Sequence, residues 1–171
     1  AQEKMKLTQE AGSTSKSRSA KEAKDFEALY NGARHISSEG WDGIHAASFR
    51  NAAISACRAC GFKMTHAKLA LFVEADGFDR DDKTPLVRIT RGEPEMVISP
   101  CRNATGVIDL RPRPTYFPWF ASLRIRFDAG MLTEEDVVNL MARVGMQVGI
   151  GEGRPDSKAS AGLGNGLFQI L

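Results

Sequence analysis

The segment between Gly149 and Gly166 constrains this chain most, because it holds six of the sixteen glycines in 171 residues. Glycine adopts positive φ and lets backbone amides approach a ligand closely, so the segment suits an anion or a nucleic-acid backbone. No Gly-Lys-Ser/Thr follows, which excludes a Walker loop, and the absence of a following helical pattern excludes a dinucleotide fingerprint. A plain connection between two strands fits the same pattern. The glycines are Gly149, Gly151, Gly153, Gly162, Gly164 and Gly166.

Composition is ordinary for a globular protein, with 42% hydrophobic residues and a formal net charge of +2. So mild a charge does not by itself demand a nucleic-acid partner. The three cysteines are an odd number, and the chain shows neither a secretory signal pattern nor a run of apolar residues long enough to cross a membrane. We therefore expect a non-secreted, cytoplasmic protein with free thiols and no membrane partner.

Residues 1–25 differ from the rest of the chain, because they combine six lysines and arginines with few large apolar side chains. A segment of this composition cannot form a core, which predicts a basic arm that is disordered or ordered only by a partner. A solvated tail without a partner fits equally well. We expect residues 26–171 to form a single domain.

Hydrophobic periodicity predicts strands and helices in alternation along residues 26–171. The order is strand, helix, strand, a long insertion at 76–117, then strand, helix, strand. This is the split βαβ, or ferredoxin-like and RRM-like, order, so we predict an α+β fold whose antiparallel sheet carries two helices and an inserted β-hairpin. The stronger predicted elements are strands at 26–33, 68–74 and 121–127, and helices at 47–59 and 133–145.

Basic residues on these elements form the candidate binding surface. In the strand at 121–127, alternation places Arg124 and Arg126 outward, about 7 Å apart, a spacing that suits successive phosphates. Aromatic residues near the other cations, among them Trp41 and Trp119, would stack bases. Ordinary surface charge with core aromatics is the alternative. The predicted nucleic-acid-binding residues are Arg50, Arg58, Lys63, Arg111, Arg113, Arg124, Arg126, Arg154 and Lys158.

Motifs for metal binding and catalysis are incomplete. Cys57 and Cys60 form one Cys-x-x-Cys pair without the second pair that a structural zinc site needs. The three histidines lie far apart in sequence, and no Gly-x-Ser-x-Gly elbow is present. The acidic turn at 76–82 lacks the glycine and terminal glutamate of an EF-hand loop. We predict no metal ion, no cofactor and no catalytic residue.

Two motifs carry a family resemblance. The segment 44–52, Ile-His-Ala-Ala-Ser-Phe-Arg-Asn-Ala, and the segment 162–168, Gly-Leu-Gly-Asn-Gly-Leu-Phe, resemble the RAMP superfamily, especially the repeating backbone subunit of CRISPR effector complexes. His45 stands where that family has proline, and Ala46 where it has glycine. The resemblance implies a modified ferredoxin-like domain whose subunits stack along single-stranded RNA. The chain is also similar to uncharacterised bacteriophage-encoded proteins.

We therefore expect a non-enzymatic protein of the bacterial host cytoplasm that binds single-stranded RNA or DNA and forms homo-oligomers along the strand. Its role would resemble that of a CRISPR backbone subunit or of a phage recombination and annealing protein. The alternative is a structural protein of a phage particle, in which the arm at 1–25 and the hairpin at 76–117 connect neighbouring subunits. Replacing Arg124 and Arg126 with alanine should weaken strand binding for all sequences alike and change thermal stability little.

Overall fold

The structure is a computed structural model that describes residues 24–102, 108–157 and 163–171. In this part of the chain the fold is α+β, with four helices and small antiparallel sheets, which confirms the predicted class. The helices are α1 (Phe26–Asn31), α2 (Ala46–Cys60), α3 (Met64–Ala70) and α4 (Glu134–Arg143), the last continued by a wider π turn (Val144–Val148). The strands are β1 (Gly43–His45), β2 (Leu71–Glu74), β3 (Gly77–Phe78), β4 (Pro85–Arg91), β5 (Pro94–Arg102), β6 (Ile108–Tyr116), β7 (Phe120–Ala121) and β8 (Arg124–Phe127).

The described residues divide into two compact units, those within 24–34 and 93–117 and those within 35–92 and 118–171. The first is called here the hairpin unit and the second the core unit. In the hairpin unit, β5 and β6 pair from Pro94↔Tyr116 to Arg102↔Ile108, and α1 packs on β6. Its hairpin at 93–117 is shorter than the insertion predicted at 76–117, because β3 and most of β4 pair within the core unit.

Helix α2 forms the centre of the core unit. Its small and apolar side chains, among them Phe49, Ala53 and Cys57, are buried against α3, α4 and β2. The predicted helix at 47–59 is thus confirmed, including its end at Gly61, whose φ of 72° is left-handed. Helix α4 begins with the predicted cap, a reciprocal capping box between Thr133 and Asp136.

The two-stranded sheet β2–β8 packs one face on this core. Residues pair antiparallel from Leu71↔Phe127 to Glu74↔Arg124. Ile125 and Phe127 are partly buried against the core, whereas Arg124 and Arg126 are exposed. The alternation predicted for this strand is confirmed, and it leaves the opposite face of the sheet open in the described part of the chain.

One predicted strand is wrong, and another begins three residues later than predicted. Residues 26–31 form α1, because the Asp25 side chain accepts a hydrogen bond from the Ala28 N–H and so caps a helix start. Residues 68–70 end helix α3, and extended backbone begins only at Leu71. In both places the apolar pattern is too short to distinguish the periodicity of a helix from that of a strand.

The ferredoxin-like strand order is not confirmed. Strand β1 pairs with β4 instead of lying beside β8, and β4 also pairs with β3 and β7. Among residues 149–157 and 163–171 no strand is present, so the glycine-rich segment does not join two strands in the part that is described. The arm at 1–25 lies outside the described residues except for Lys24 and Asp25.

None of the described helices, whose ranges are given above, has both the length and the apolar character required to cross a membrane.

Candidate nucleic-acid interface

The exposed face of the β2–β8 sheet brings together four side chains, which we call the β2–β8 outer face: Phe72, Glu74, Arg124 and Arg126. They share this face because β2 alternates with Leu71 and Val73 turned inward, and because the register pairs Phe72 with Arg126 and Glu74 with Arg124. Directly opposed side chains of an antiparallel pair lie within contact distance of each other. The sheet therefore presents an aromatic ring and two guanidinium groups on a small, open surface.

Phe72 lies between two cations. The guanidinium carbon of Arg50 is 5.0 Å from the ring centroid, and that of Arg126 is 5.6 Å from it. Phe72 is still 39% exposed despite these two contacts. An exposed ring flanked by positive charge can accept a stacked base beside a bound phosphate.

Arg50 is held in place from the N-terminal half of α2. Its Nε–H donates to the Leu71 carbonyl at 2.9 Å, and its terminal nitrogen donates to the Lys68 carbonyl at 2.6 Å. The Asp128 N–H donates to the Ala70 carbonyl, so the next carbonyl, that of Leu71, points away from β8. Arg50 thus reaches Phe72 from the edge of β2 opposite to Arg126, and it also covers backbone groups on that edge.

The two outward arginines of β8 differ in their partners. Arg124 pairs with the Asp76 carboxylate at 3.1 Å and donates to the Ala75 carbonyl at 2.7 Å. The Arg126 side chain has no hydrogen bond or ion pair within the described residues and lies over the Phe72 ring. The charge of Arg124 is therefore largely balanced within the fold, whereas that of Arg126 is available to a ligand.

The glycine-rich segment serves the packing of the chain on itself. A Cβ at Gly166 would overlap the Ile150 carbonyl, and one at Gly153 would lie 2.6 Å from Asn165 Nδ2. Backbone hydrogen bonds join the same stretches, from Ile150 N–H to Gly166 O and from Asn165 N–H to Gly153 O. Five of the predicted loop glycines are described and all have positive φ: Gly149, Gly151, Gly153, Gly164 and Gly166. Gly162 lies outside the described residues.

Two predicted cations near this segment also have partners within the fold. A terminal nitrogen of Arg58 donates to both carboxylate oxygens of Asp156, at 2.7 and 2.8 Å, which attaches the segment to α2. Arg154 donates to the Gly151 carbonyl at 3.1 Å. Arg58 and Arg154 thus each have an internal contact, and neither belongs to the β2–β8 outer face.

The remaining predicted cations are dispersed. Lys63 is exposed at the start of α3 in the core unit. Arg111 and Arg113 belong to the hairpin unit, where Arg111 lies 3.5 Å from Asp109. Lys24 also bonds to Asp109. Both cations lower the pKa of the Asp109 carboxyl, and the hydrogen bond from Lys24 is the largest cause. Lys158 lies outside the described residues.

The predicted aromatic partners mostly pack within the core unit. Trp119 contacts Phe168 edge to face with ring centroids 5.8 Å apart. Trp41 packs against Gly77 and carries Arg88 at 5.8 Å from its ring centroid. Sequence reasoning missed Phe72, although the alternation of β2 could have identified it, since Leu71 and Val73 turned inward require Phe72 and Glu74 to point outward.

Two histidines that are far apart in sequence meet in the core unit. His45 Nε2 lies 3.1 Å from His35 Nδ1, and His35 Nδ1 lies 3.6 Å from the buried carboxylate of Asp79. Burial is the main cause that lowers the pKa of His35, and the neighbouring imidazole of His45 lowers it further. The described residues contain no group of three or more side chains suited to a metal ion, and Cys57, Cys60 and Cys101 form no disulfide with one another.

The chain matches no protein-family model, no curated protein and no solved structure. The resemblance to the RAMP superfamily therefore stays a prediction from two sequence motifs.

Proposed function

We propose that this protein binds single-stranded nucleic acid on the β2–β8 outer face without catalysing a reaction on it. The observation that carries the proposal is Phe72, an exposed ring between the fixed Arg50 and the unpaired Arg126. Single-strand binders combine a basic surface that follows the phosphates with aromatic rings on which bases stack. A duplex offers no unstacked base to such a ring, so the geometry favours a single strand.

Local charge supports the same conclusion. Arg124 and Asp76 balance each other, which leaves Arg50 and Arg126 against the carboxylate of Glu74. Because the Arg126 side chain has no hydrogen bond among the described residues, it can turn from the ring toward a phosphate at little cost. Arg50 stays fixed by two carbonyls and supports the ring from the other edge. Contacts of this kind contribute affinity with little sequence preference.

The RAMP resemblance extends the proposal to assembly. If subunits stack along the strand, the mass of the complex should grow in steps as the oligonucleotide is lengthened. Mass photometry with a series of oligonucleotide lengths tests this part, and a single subunit at every length would contradict it. The ferredoxin-like relationship belongs to the same proposal and rests on the two motifs alone.

Fluorescence anisotropy with a labelled oligo-dT of about 12 nucleotides, at several low salt concentrations, tests strand binding. Phe72→Ala and Arg126→Gln should each weaken binding at least several-fold. Arg88→Gln is the matched control, because Arg88 is also exposed and also lies over an aromatic ring, yet on another sheet. Equal losses in Arg126→Gln and Arg88→Gln would show that only net charge matters and would contradict the proposed site.

A second candidate function, a structural protein of a particle, is favoured by the hairpin unit. Period-two alternation and the β5–β6 register place apolar side chains on one face of this hairpin, and several are exposed. Exposed apolar surface of this kind is typical of contacts between proteins. These side chains are Met96, Ile98, Ile108 and Leu110. Met96→Glu with Ile98→Lys should abolish assembly while leaving oligonucleotide affinity unchanged, as measured by sedimentation and anisotropy.

A further inference from the structure

Glu74 is the remaining polar group of the β2–β8 outer face. It is exposed, two residues from Phe72 on the same strand face, and directly opposite Arg124 in the register. Arg124 is already bound to Asp76 and to the Ala75 carbonyl. The Glu74 carboxylate has no hydrogen bond or ion pair with the described residues. A carboxylate without a partner thus stands beside the proposed stacking position, where it would repel phosphates.

The spacing suits the edge of a base. Side chains two residues apart on a strand face are separated by about 7 Å. This is comparable with the distance from the centre of a stacked purine to its Watson–Crick edge plus one hydrogen bond. A base stacked on Phe72 can therefore direct that edge at the Glu74 carboxylate, while Arg126 binds the adjoining phosphate.

Only guanine presents a matching edge. An ionised carboxylate accepts hydrogen bonds and cannot donate them. Guanine carries two adjacent donors there, N1–H and the N2 amino group, which can bond to the two carboxylate oxygens in parallel. Adenine and cytosine each place a ring-nitrogen acceptor beside their amino group, and thymine and uracil flank a single N–H with carbonyl oxygens. Those acceptors would face the carboxylate and be repelled.

We propose that Glu74 selects guanine in the single strand bound at Phe72, by accepting hydrogen bonds from guanine N1–H and N2–H. This inference rests on the proposed function and adds a base preference to it. Glu74 should therefore lower the affinity for strands without guanine, because its charge repels phosphates. It should raise the affinity for strands with guanine, because it accepts hydrogen bonds from that base.

The test compares oligo-dT of about 12 nucleotides with the same strand carrying one central guanine or one central hypoxanthine, which lacks the N2 amino group. The wild type should bind the guanine strand about fivefold tighter than oligo-dT, the lower end of the discrimination that a bidentate pair provides, because the site is exposed. The strand that carries hypoxanthine should bind the wild type only slightly more tightly than oligo-dT.

Glu74→Gln, an isosteric change at an exposed position, should bind oligo-dT more tightly than the wild type and lose the guanine preference. A parallel series in oligo-rU should show the preference if the natural strand is RNA.

Each outcome has a distinct meaning. The crossed pattern, with oligo-dT binding strengthened and guanine preference lost in Glu74→Gln, supports the inference. Binding of oligo-dT and oligo-rU without a guanine preference overturns this inference and leaves the proposed function standing. A guanine preference that persists in Glu74→Gln overturns it as well. No binding of any strand at low salt overturns the proposed function and this inference together.

Discussion

Two regions of the core unit carry arginine at positions that suit a phosphate, and they use it differently. On the β2–β8 outer face, Arg126 lies over an exposed ring and has no ion pair among the described residues. Around the glycine-rich segment, Arg58 is bound to Asp156 and Arg154 to the Gly151 carbonyl. One region thus keeps its charge accessible to a ligand, and the other uses its charge to hold the chain together.

The glycines follow the same division. In the glycine-rich segment, Gly149, Gly153 and Gly166 let two stretches of backbone approach closely, and the carbonyls of Gly153 and Gly166 accept backbone hydrogen bonds across this contact. The comparison shows that a basic and glycine-rich composition indicates a binding site only where the fold leaves the cationic side chains without an internal hydrogen-bond acceptor. Variants in the two regions should therefore change different measured quantities, stability in one and affinity in the other.

The largest effect is expected for Gly166→Ala. The residue has a φ of +70°, and an added Cβ would overlap the Ile150 carbonyl, so both backbone strain and steric overlap oppose the change. Left-handed strain and overpacking together predict a loss of about 3 to 5 kcal/mol in the free energy of unfolding, measurable by urea denaturation.

Gly164→Ala is the matched control for this variant. Its φ of +74° is nearly the same, but no atom lies within 4 Å of the added Cβ. We expect a loss of only about 1 to 2 kcal/mol, from backbone strain alone. Equal losses in the two variants would show that close packing of Gly166 against Ile150 does not contribute to stability.

The next largest effect separates the two arginines of β8. Arg126→Ala should lower the slope of log affinity against log salt by about 0.7, the value for one phosphate contact with a single strand, and leave stability nearly unchanged. Arg124→Ala should lower stability by up to about 1 kcal/mol, because it removes an exposed ion pair with Asp76, and change the salt slope less. Anisotropy titrations and urea denaturation of both variants measure these quantities. The reverse assignment, with Arg124 carrying the salt slope, would show that its pairing with Asp76 opens on binding.

A smaller effect is expected at the attachment of the glycine-rich segment to α2. Arg58→Ala should lower stability by about 0.5 to 1 kcal/mol, since its ion pair with Asp156 is largely exposed on the arginine side. Oligonucleotide affinity should stay the same. A double-mutant cycle with Asp156→Ala isolates the pair, and a loss of strand affinity in Arg58→Ala would place this region in the binding surface after all.

The sequence predicted the parts of this fold that depend on local pattern. Periodicity identified α2, the capping box of α4 and the outward direction of Arg124 and Arg126, because each follows from spacing along one element. It did not predict the strand order. β1 pairs with β4, and that choice depends on contacts between residues that are about forty positions apart.

The residues of the candidate site were partly predicted from the sequence, but the contacts between them were not. Arg50 and Arg126 were predicted, but their meeting at Phe72 depends on the β2–β8 register and on a hydrogen bond from α2 to a strand carbonyl. The contact between His35 and His45 was missed as well, because they lie ten positions apart across a turn that the bridge between Ile36 and Asp42 closes, and no sequence motif indicates this bridge. Pairing across elements is a tertiary property that single-sequence periodicity does not encode.

The smallest expected effect concerns pH and lies in neither of the two regions. The pKa of His35 is below the ordinary value of 6.5 because of burial and of the neighbouring His45, while Asp79 and Asp82 oppose the shift. As the pH falls below 6.5, the unfolded chain takes up a proton at this position before the folded protein does. Protonation therefore favours the unfolded chain, and the free energy of unfolding should decrease as the pH falls from 6.5 toward the lowered pKa of the folded state.

His45→Asn removes one cause of the pKa shift and should make the decrease in unfolding free energy with falling pH less steep. His66→Asn, which removes an exposed imidazole on α3, should leave this decrease unchanged. Urea denaturation at pH values on either side of 6.5 measures the slope, and an unchanged slope in His45→Asn would show that burial alone shifts His35.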